Sequence, residues 1–263
     1  MKPFHSFPRK TRQQIRYVLT DIDDTLTLDG KLPAIAYSAM ERLQQAAIKI
    51  IPITGRPAGW CDHIARMWPV DGLVGENGAF YFYYDIQSRK MVRRFWRNDK
   101  QRREDRTQLA RLEERILRDV PGSRVSVDQP YREADLAIDF CEDVKALSMD
   151  SVKKIVSIFE SAGAVAKISS IHVNGWFGDY DKLAMTKRLF SEIFQIDLDS
   201  RKESIIFSGD SPNDAPMFAY FPHSVGVANV LQFGDDLLHQ PSWITEKKGG
   251  YGFAEMVDIL LDC

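Results

Sequence analysis

The chain has 263 residues, of which 44% are hydrophobic and 27% charged, and its formal net charge is −2. These values are typical of a globular protein with one large or two modest domains, and they exclude a general affinity for polyanions such as nucleic acids. The chain contains no run of apolar residues long enough for a transmembrane helix, and residues 1–16 lack the apolar stretch of a secretory signal.

Cysteine and histidine are sparse. Cys61, Cys141 and Cys263 show no metal-ligand spacing, and the five histidines form no H-x-x-x-H pair, so no zinc site is predicted. An odd, low cysteine count suits a reducing compartment, and we expect a cytoplasmic protein. Residues 1–16 are basic and are expected to form a disordered lead-in to the first strand.

The first predicted element is a buried parallel strand that ends at Thr20 and is followed at once by carboxylates. Carboxylates just past the carboxyl end of such a strand are typical of an active site. If the extended conformation continues, Asp21 and Asp23 lie on the same side, where two like charges need a compensating cation or a bound proton. The alternative is an acidic turn in which Asp24 or Thr25 caps a helix.

A turn and a helix follow. Asp29-Gly30 lies between short apolar stretches and predicts a hairpin turn. Pro33 is expected to begin a helix that runs to about residue 45. The face of this helix that packs on the sheet is predicted at Ile35, Ala39, Leu43 and Ala46.

A second buried strand, residues 47–53, is predicted to deliver Thr54, whose neutral hydroxyl can donate to a phosphoryl oxygen. Gly55 after it permits a close approach of the backbone. Thr54 is also a suitable N-cap for a helix predicted at residues 57–67, and the two roles are compatible. A third strand is expected at residues 71–74.

The composition changes after a strand pair predicted at residues 79–85 and 91–96. Residues 89–118 hold 12 Lys/Arg against 5 Asp/Glu, and they end in an amphipathic helix predicted at residues 106–118. The buried side of this helix is expected at Leu109, Leu112, Ile116 and Leu117. We interpret the arginines as a solvated face, and the alternative is that Arg102, Arg103 and Arg106 steer an anionic substrate.

Strand pairs and a helix continue the pattern. Strands are expected at residues 124–128, 136–140, 164–169 and 171–176. A helix is expected at residues 151–162, with its inward face at Val152, Ile155, Val156 and Phe159. The alternation of strand pairs with helices predicts an α+β layer in which helices cover one face of a sheet.

Charged residues lie at the start of one further predicted helix and after the end of one further predicted strand. A helix is predicted to begin at Asp181-Lys182, and a strand at residues 204–207 precedes Asp210. Asp210 and Asp214 are expected to share one face of a helical turn and to offer oxygen ligands to a hard divalent cation. The remaining elements are expected at residues 224–228 and 243–245 (strands), 249–252 (a flexible loop) and 253–261 (a helix).

Four of these stretches, in this order, resemble the motifs of the haloacid dehalogenase (HAD) superfamily of phosphatases and phosphotransferases. The matching residues are Asp21-x-Asp23-x-Thr25, then Thr54, then Lys182, then Gly209-Asp210-x-x-Asn213-Asp214. Together the motifs span most of the chain, and three of them lie at predicted strand ends.

A fifth stretch, Gly75-Glu76-Asn77-Gly78-Ala79, resembles the type IIB or Cof-like HAD members, which include sucrose-phosphatase, mannosyl-3-phosphoglycerate phosphatase and phosphomannomutase relatives. The resemblance implies an α/β fold with a Rossmann-like parallel-sheet core and an inserted α+β cap domain that selects the substrate. The implied core covers residues 1–82 and 178–263, and the cap covers residues 83–177. The segment around Asp29-Gly30 would be the flap that follows the first motif.

The resemblance also implies catalytic roles. Asp21 would be the nucleophile that forms a phosphoaspartyl enzyme, and Asp23 would protonate the leaving oxygen and then activate water. Thr54 and Lys182 would hold the phosphoryl oxygens.

The metal implied is Mg²⁺, held by Asp21, the backbone carbonyl of Asp23, and Asp210, with Asp214 in support. Asp24 departs from the pattern, because many relatives have glycine at this position. An exchange of roles between Asp23 and Asp24 therefore stays open.

The implied substrate contacts come from both domains. They are Thr54, Gly55, Arg56, Lys182 and Asn213 in the core, and His172, Asn174 and Trp176 in the cap. For His172 we prefer the interpretation of a surface histidine on an edge strand.

The sequence thus predicts a Mg²⁺-dependent phosphomonoesterase for a small soluble phosphorylated metabolite, with a phosphosugar or a sugar-phosphoglycerate as the expected class. The alternatives are a phosphomannomutase-like phosphotransferase, which would need a sugar bisphosphate activator, and a catalytically silent protein that binds a phosphate ligand. No nucleic-acid or membrane partner is expected, and the sequence does not indicate an oligomeric state.

Overall fold

The computed structural model describes residues 1–169 and 171–262, so Cys263 lies outside the described residues. Its strands are, in chain order, β1 (Lys2–Pro3), β2 (Tyr17–Thr20), β3 (Lys49–Pro52), β4 (Leu73–Gly75), β5 (Phe80–Asp85), β6 (Lys90–Phe95), β7 (Arg124–Val125), β8 (Asp135–Asp139), β9 (Val165–Ile168), β10 (His172–Trp176), β11 (Ile205–Gly209), β12 (His223–Gly226) and β13 (Trp243–Ile244).

The helices are α1 (Arg9–Arg12), α2 (Ala34–Gln45), α3 (Ala58–Met67), α4 (Asp99–Asp119), α5 (Met149–Ser161), α6 (Lys182–Leu189), α7 (Leu198–Arg201), α8 (Ala215–Tyr220) and α9 (Gly249–Leu261). A π-helical turn, Phe190–Phe194, continues α6. Across the described residues, none of these helices is both long enough and apolar enough to cross a bilayer.

The largest sheet has six strands in the order β1-β13-β12-β11-β2-β3, and every neighbouring pair in it is parallel. Strands β11, β2 and β3 lie side by side, so their carboxyl ends open on the same edge of the sheet. Active sites of open parallel sheets lie at this edge. The sheet confirms the predicted Rossmann-like α/β core.

Alternating residues of the central strands pack against helices on opposite faces of this sheet, as the two-residue period of a strand requires. Val18 and Ile50 belong to the hydrophobic cluster that includes residues of α2, α3 and α9. Leu19 and Ile51 belong to the cluster that includes residues of α6 and α8. The strands are thus buried on both sides, which explains why they are almost continuously apolar.

A second sheet, in the order β7-β8-β10-β9, is antiparallel and is covered by α4 and α5. Val173 of β10 packs with these helices. A Cβ on Gly175 would lie 2.2 Å from the ring of Phe159 in α5, so a glycine at this position lets the helix approach the sheet. This α+β layer confirms the predicted cap architecture.

The predicted strand pair at residues 79–85 and 91–96 belongs to a separate sheet, in the order β4-β5-β6. Phe80 and Phe82 of this sheet pack in the same cluster as the core helices. The boundaries of the inserted domain at residues 83 and 177 stay a prediction. Residue 83 falls inside β5, which pairs with β4 and β6.

Two predicted irregular segments are ordered elements. Residues 1–16 are not a disordered lead-in, because Lys2–Pro3 pairs with β13 and Phe4 and Phe7 are buried. The glycine-rich loop predicted at residues 249–252 is the first turn of α9. A Cβ on Gly250 would lie 2.4 Å from the carbonyl oxygen of Leu26, so its glycine lets the helix start against the loop that follows β2.

Three helices have inward faces that differ from the predicted ones. In α2, Ala36 and Met40 are buried, whereas Ile35 and Ala46 are exposed. In α4, which begins seven residues before the predicted start at Arg106, Leu117 is exposed. In α5, Ile158 is buried and Val156 is only partly so. In each helix, apolar residues lie at adjacent positions, and periodicity alone does not determine which of them faces the core.

Candidate active site

Three sequence-predicted residues follow adjacent strands of the six-stranded sheet. Asp21 follows β2, Asp210 follows β11, and Thr54 follows the end of β3. The strand register continues past β2, because the backbone N–H of Asp21 donates to the carbonyl of Ser208 in β11 at 2.9 Å. Asp21 and Asp210 are therefore held close by backbone pairing.

Lys182 joins this group from the first turn of α6. Its Nζ lies 2.8 Å from Oδ1 of Asp21 and 3.0 Å from Oδ1 of Asp214. All three side chains are buried. The nearby ion pairs raise the pKa of Lys182 in spite of its burial, so the ammonium stays charged.

Gly78 explains how α6 reaches the site. Its φ is +108°, and a Cβ there would lie 2.1 Å from the carbonyl oxygen of Asp181. Asp181 is the N-cap of α6, and its side chain accepts from Ala184 N–H at 2.7 Å. The Gly75–Ala79 stretch thus packs directly on the turn that presents Lys182, which only glycine permits.

Asp210 and Asp214 are arranged differently from the prediction. They do not share a helical face, because the helical turn Pro212–Asp214 begins after Asp210. Instead, the Asp214 carboxylate folds back and accepts from the backbone N–H of Asp210 at 3.1 Å. A Cβ on Gly209 would lie 2.5 Å from Oδ2 of Asp214, so Gly209 makes room for this contact.

The carboxylates of Asp21, Asp210 and Asp214 form one buried cluster, with oxygens within 4.8 Å of one another. Burial raises the pKa of Asp21 to about 7, against the influence of Lys182. Burial and the charge of Asp214 raise the pKa of Asp210 well above its usual range. One lysine does not balance three carboxylates, and this excess of buried negative charge suits a divalent cation.

Thr25 of the first motif and Asn229, which no sequence pattern selected, position Asp210 and the first motif. The Thr25 hydroxyl donates to Oδ1 of Asp210 at 3.1 Å, so the last residue of Asp21-x-Asp23-x-Thr25 orients the fourth motif. Asn229 donates to the carbonyl of Asp24 at 2.5 Å and accepts from Gly249 N–H at 2.9 Å. The motif pointed to Thr25, but nothing in the sequence pointed to Asn229.

Asp23 lies outside the carboxylate cluster and is paired with Arg56. Arg56 Nε lies 2.8 Å from Oδ1 and 3.0 Å from Oδ2 of Asp23, and Nη2 lies 2.6 Å from Oδ1. The bidentate geometry is that of a strong charge-assisted pair. The role of the Asp23 backbone carbonyl as a metal ligand stays a prediction.

Asp24 differs from Asp23 in backbone conformation. Its φ is 54°, in the left-handed region that favours glycine. Burial and the neighbouring Asp23 raise the pKa of Asp24. Asp23 lines the small cavity between core and cap, whereas Asp24 does not, so the geometry favours Asp23 over Asp24 for the predicted acid–base role.

Thr54 is fully buried and holds the turn that carries Gly55 and Arg56. Its Oγ1 accepts from the backbone N–H of Arg56 at 3.0 Å, and its own N–H donates to the carbonyl of Val74 at 2.9 Å. The contact through Oγ1 stabilises the turn after β3, but Thr54 is not the predicted helix N-cap, because Pro57 occupies that position before α3.

A small cavity of about 40 Å³, here called the catalytic cavity, lies between core and cap. Asp21, Asp23, Gly55, Arg56, Asp210 and Asn213 line it from the core, and Arg132, Ser169, His172 and Asn174 line it from the cap. The structure therefore brings together the predicted residues of both domains. Thr54 and Lys182 lie behind this lining.

His172 is not the surface histidine on an edge strand that we expected. It is 3% exposed, and β10 lies inside its sheet between β8 and β9. Its Nε2 lies 2.9 Å from Oε2 of Glu142, and burial lowers its pKa to about 4. Strand alternation places His172 and Asn174 opposite the helix-facing Val173, and therefore toward the core.

Trp176, the third cap candidate, is buried in the hydrophobic cluster of the core and stacks on Tyr180, with ring centroids 5.7 Å apart. It does not line the catalytic cavity. Its role is packing between the two domains.

Core and cap are joined by buried polar contacts that the sequence did not predict. The Glu76 carboxylate accepts from the backbone N–H of Ala58 in the core and of Glu133, Ala134 and Asp135 in the cap, at 2.6 to 3.3 Å. Burial and Asp135 raise the pKa of Glu76 to about 8, while Arg132 and the N–H donors lower it.

Arg132 of the cap also contacts the core. It donates to the carbonyl of Gly55 at 3.1 Å and pairs with Asp128 and Asp135 at 2.9 and 3.0 Å. Arg132 lies in an irregular segment between two strands, where no periodic signal distinguishes it from a surface arginine.

The arginine-rich segment has local partners. The Arg102 guanidinium lies 3.6 Å from the ring centroid of Phe95 and pairs with Asp99 and Glu133 at 2.8 and 3.2 Å. Arg106 also pairs with Glu133. Arg102 is only 17% exposed and is therefore not solvated, whereas Arg106 is 65% exposed, and electrostatic steering stays a prediction.

No protein-family model and no curated protein sequence matches the chain. Solved structures do match. The chain is similar to a haloacid dehalogenase-like hydrolase from Bacteroides thetaiotaomicron, with a TM-score of 0.66 and 16% identity over 93% of this chain and 98% of that one. It is similar to the sucrose-phosphatase from Synechocystis, with a TM-score of 0.64 and 12% identity over 94% and 98% of the two chains.

A HAD subclass IIB sugar phosphatase also matches, with a TM-score of 0.61 and 13% identity over 88% of this chain and 93% of that one. At these identities the likeness establishes the fold. It confirms the predicted HAD architecture of a Rossmann-like core with an inserted cap.

Proposed function

We propose that this chain is a HAD-type phosphomonoester hydrolase that acts on a small soluble phosphate through a phosphoaspartyl intermediate. The observation that carries the proposal is the buried group of Asp21, Asp210, Asp214 and Lys182 at the carboxyl edge of the parallel sheet. A protein that only binds phosphate has no need of several buried carboxylates, because they repel the ligand.

The residues present fit Mg²⁺. Three buried carboxylates with one lysine leave an uncompensated negative charge, and hard oxygen ligands are those that Mg²⁺ prefers. Asp21 and Asp210 would hold the ion with the Asp23 carbonyl, and Asp214 would support them. When bound, the ion supplies positive charge that offsets the repulsion between these carboxylates and the substrate phosphate.

Asp21 attacks phosphorus, and the bond from phosphorus to the leaving oxygen breaks. Lys182, 2.8 Å from Asp21, favours the ionised carboxylate that this attack needs. Asp23 gives its proton to the leaving oxygen, then takes a proton from the water that hydrolyses the phosphoaspartate. Arg56 holds the Asp23 carboxylate beside the catalytic cavity, with Nη2 2.6 Å from Oδ1.

Phosphosugars are the first substrate class to test. The cap residues on the catalytic cavity, Arg132, His172 and Asn174, are polar or charged, and two of the matching structures are named as sugar or sucrose phosphatases. No nucleic-acid or membrane partner is part of the proposal.

The test is phosphate release from a panel of sugar phosphates and an aryl phosphate, with Mg²⁺ and with a chelator. We expect Mg²⁺-dependent turnover that falls at least about a thousandfold in Asp21→Asn, since removal of a covalent nucleophile has effects of this order or larger. Asp150→Asn, an exposed carboxylate of α5, is the matched control and should keep full activity.

Full turnover by Asp21→Asn would overturn the covalent mechanism. Turnover only after addition of a sugar bisphosphate would assign a mutase instead. Failure to turn over any phosphate ester, with Mg²⁺ still bound, would assign a binding protein.

A further inference from the structure

Asp23 and Arg56 form a wall between two cavities. On one side lies the catalytic cavity, of about 40 Å³. On the other side lies a cleft of about 400 Å³, and among the described residues these two line both. The larger volume falls within the range of small-molecule sites, roughly 300–1,000 Å³.

The larger space, here called the aromatic cleft, has a mostly apolar lining. Its apolar side chains are Ile22, Leu32, Trp60, Ile64, Trp68 and Tyr131. Apart from the shared pair, Thr27 and His63 are the polar side chains on the lining. The hydroxyl groups at the edge of a bound ring would find few hydrogen-bond partners in the cleft, whereas the apolar face of the ring would lose none.

Two aromatic side chains of the cleft are exposed although they are held in place. Trp60 is 44% exposed, and the guanidinium carbon of Arg56 lies 4.5 Å from its ring centroid. Tyr131 of the cap is 58% exposed and packs on α3, where a Cβ on Gly59 would lie 3.0 Å from Tyr131 Cβ. Core and cap thus each present a positioned aromatic ring to the same space.

We propose that the aromatic cleft binds a ring of the substrate's leaving group and stacks its flat apolar face on Trp60 and Tyr131. The inference rests on the proposed phosphatase function. Asp23 protonates the leaving oxygen, so the group bonded to that oxygen lies beside Asp23. The catalytic cavity, at about 40 Å³, is too small to hold this group. The cleft is the adjoining space on the far side of Asp23.

Two kinds of ring have a flat apolar face that could stack in this way. One is an aromatic ring, and the other is the C–H face of a pyranose. In both cases the Asp23–Arg56 pair opens when substrate binds, and the two cavities then join around the leaving oxygen.

The test compares substrates with and without a ring. Steady-state kinetics are measured with phenyl phosphate, glucose-6-phosphate and the acyclic glycerol phosphate. In Trp60→Ala we expect KM to rise about tenfold for a ring-bearing substrate and to change little for glycerol phosphate, because one stacked ring contributes on this scale. Trp60→Phe keeps a flat ring and should restore most of the affinity.

Tyr131→Ala is the second variant, because Trp60 also contacts Arg56 and its removal alters that contact. Tyr131 comes from the cap and is exposed, so its loss should leave the fold intact. Met67→Ala is the control, since Met67 is 64% exposed at the end of α3 and does not line the cleft.

A KM change with phenyl phosphate alone identifies an aromatic ring, and a change with glucose-6-phosphate identifies a sugar ring. An equal change for all three substrates, or no change in either variant, overturns the inference while leaving the phosphatase function in place. If the wild type turns over none of them, the proposed function fails. In that case calorimetry measures the affinity of phenyl phosphate for Asp21→Asn and for the double variant Asp21→Asn/Trp60→Ala. Equal affinities of the two proteins overturn the inference about the cleft.

Discussion

The ammonium of Lys182 lies 2.8 Å from the carboxylate of Asp21, although 161 residues separate them in the sequence. Both side chains are 7% exposed. A buried carboxylate beside other carboxylates is costly, and this lysine is the cation that the chain itself places against Asp21. The pair therefore stabilises the metal-free site and favours the ionised form of Asp21, the proposed nucleophile.

Lys182→Met should be inactive and should lower the free energy of unfolding by about 3 kcal/mol in the presence of a chelator. The reason is that loss of one partner leaves Asp21 and Asp214 buried without their cation. The loss should be smaller with Mg²⁺, which replaces part of the missing charge. Urea unfolding with and without Mg²⁺, together with a phosphatase assay, measures both effects.

Lys187→Met is the matched control for this prediction. Lys187 lies on the same helix, but its partner is the exposed Asp199, at 3.0 Å. Exposed pairs contribute little, so we expect a change below about 1 kcal/mol and normal activity. Equal destabilisation by the two substitutions would contradict the assigned role of Lys182.

The metal-free protein should lose stability as the pH rises from about 4 to about 7. Burial raises the pKa of Asp21 from 3.8 to about 7 in the folded chain. Between these values folded Asp21 holds a proton that the unfolded chain has released, so the free energy of unfolding falls with rising pH. Mg²⁺ should reduce this fall, because a bound cation favours the ionised carboxylate.

The measurement is the free energy of unfolding against pH, in a chelator, for the wild type and Asp21→Asn. His172, whose pKa burial lowers to about 4, acts in the opposite direction, but it is present in both proteins and cancels in their difference. We expect the difference between the two curves to change across the stated range. Parallel curves would show that Asp21 does not titrate there.

Glu76→Gln should destabilise the protein by about 2 kcal/mol. Both oxygens of Glu76 accept from backbone N–H groups, Oε1 from Ala58 and Glu133, and Oε2 from Ala134 and Asp135. A glutamine would turn an NH₂ group toward buried N–H donors and leave them unsatisfied. Since these donors belong to both core and cap, kcat/KM should fall as well.

Urea unfolding and kinetics test this prediction, with Glu41→Gln as the control. Glu41 is exposed on α2, and none of the contacts described between core and cap involves it. Its substitution should change neither the free energy of unfolding nor kcat/KM by a measurable amount. If Glu76→Gln were as stable and active as the wild type, the junction between core and cap would not depend on this carboxylate.

The sequence by itself determined the core elements and the identity of the catalytic cluster. Buried parallel strands are apolar throughout, so β2, β3 and β11 were visible as runs that end in Asp21, Thr54 and Asp210. Because the carboxyl ends of parallel strands share one edge of the sheet, their proximity followed without a structure. The glycine-rich stretch before β5 indicated the insertion of the cap.

Only the tertiary structure decided which polar groups meet across the two domains. Arg132, Glu76 and Asn229 each have at least one partner that is remote in sequence, and no local pattern predicts such contacts. The burial of His172 depended on β10 lying inside its sheet, and strand order is a non-local property. The pairing of Asp23 with Arg56, and the aromatic cleft beyond it, likewise exist only where the loop after β2, α3 and the cap come together.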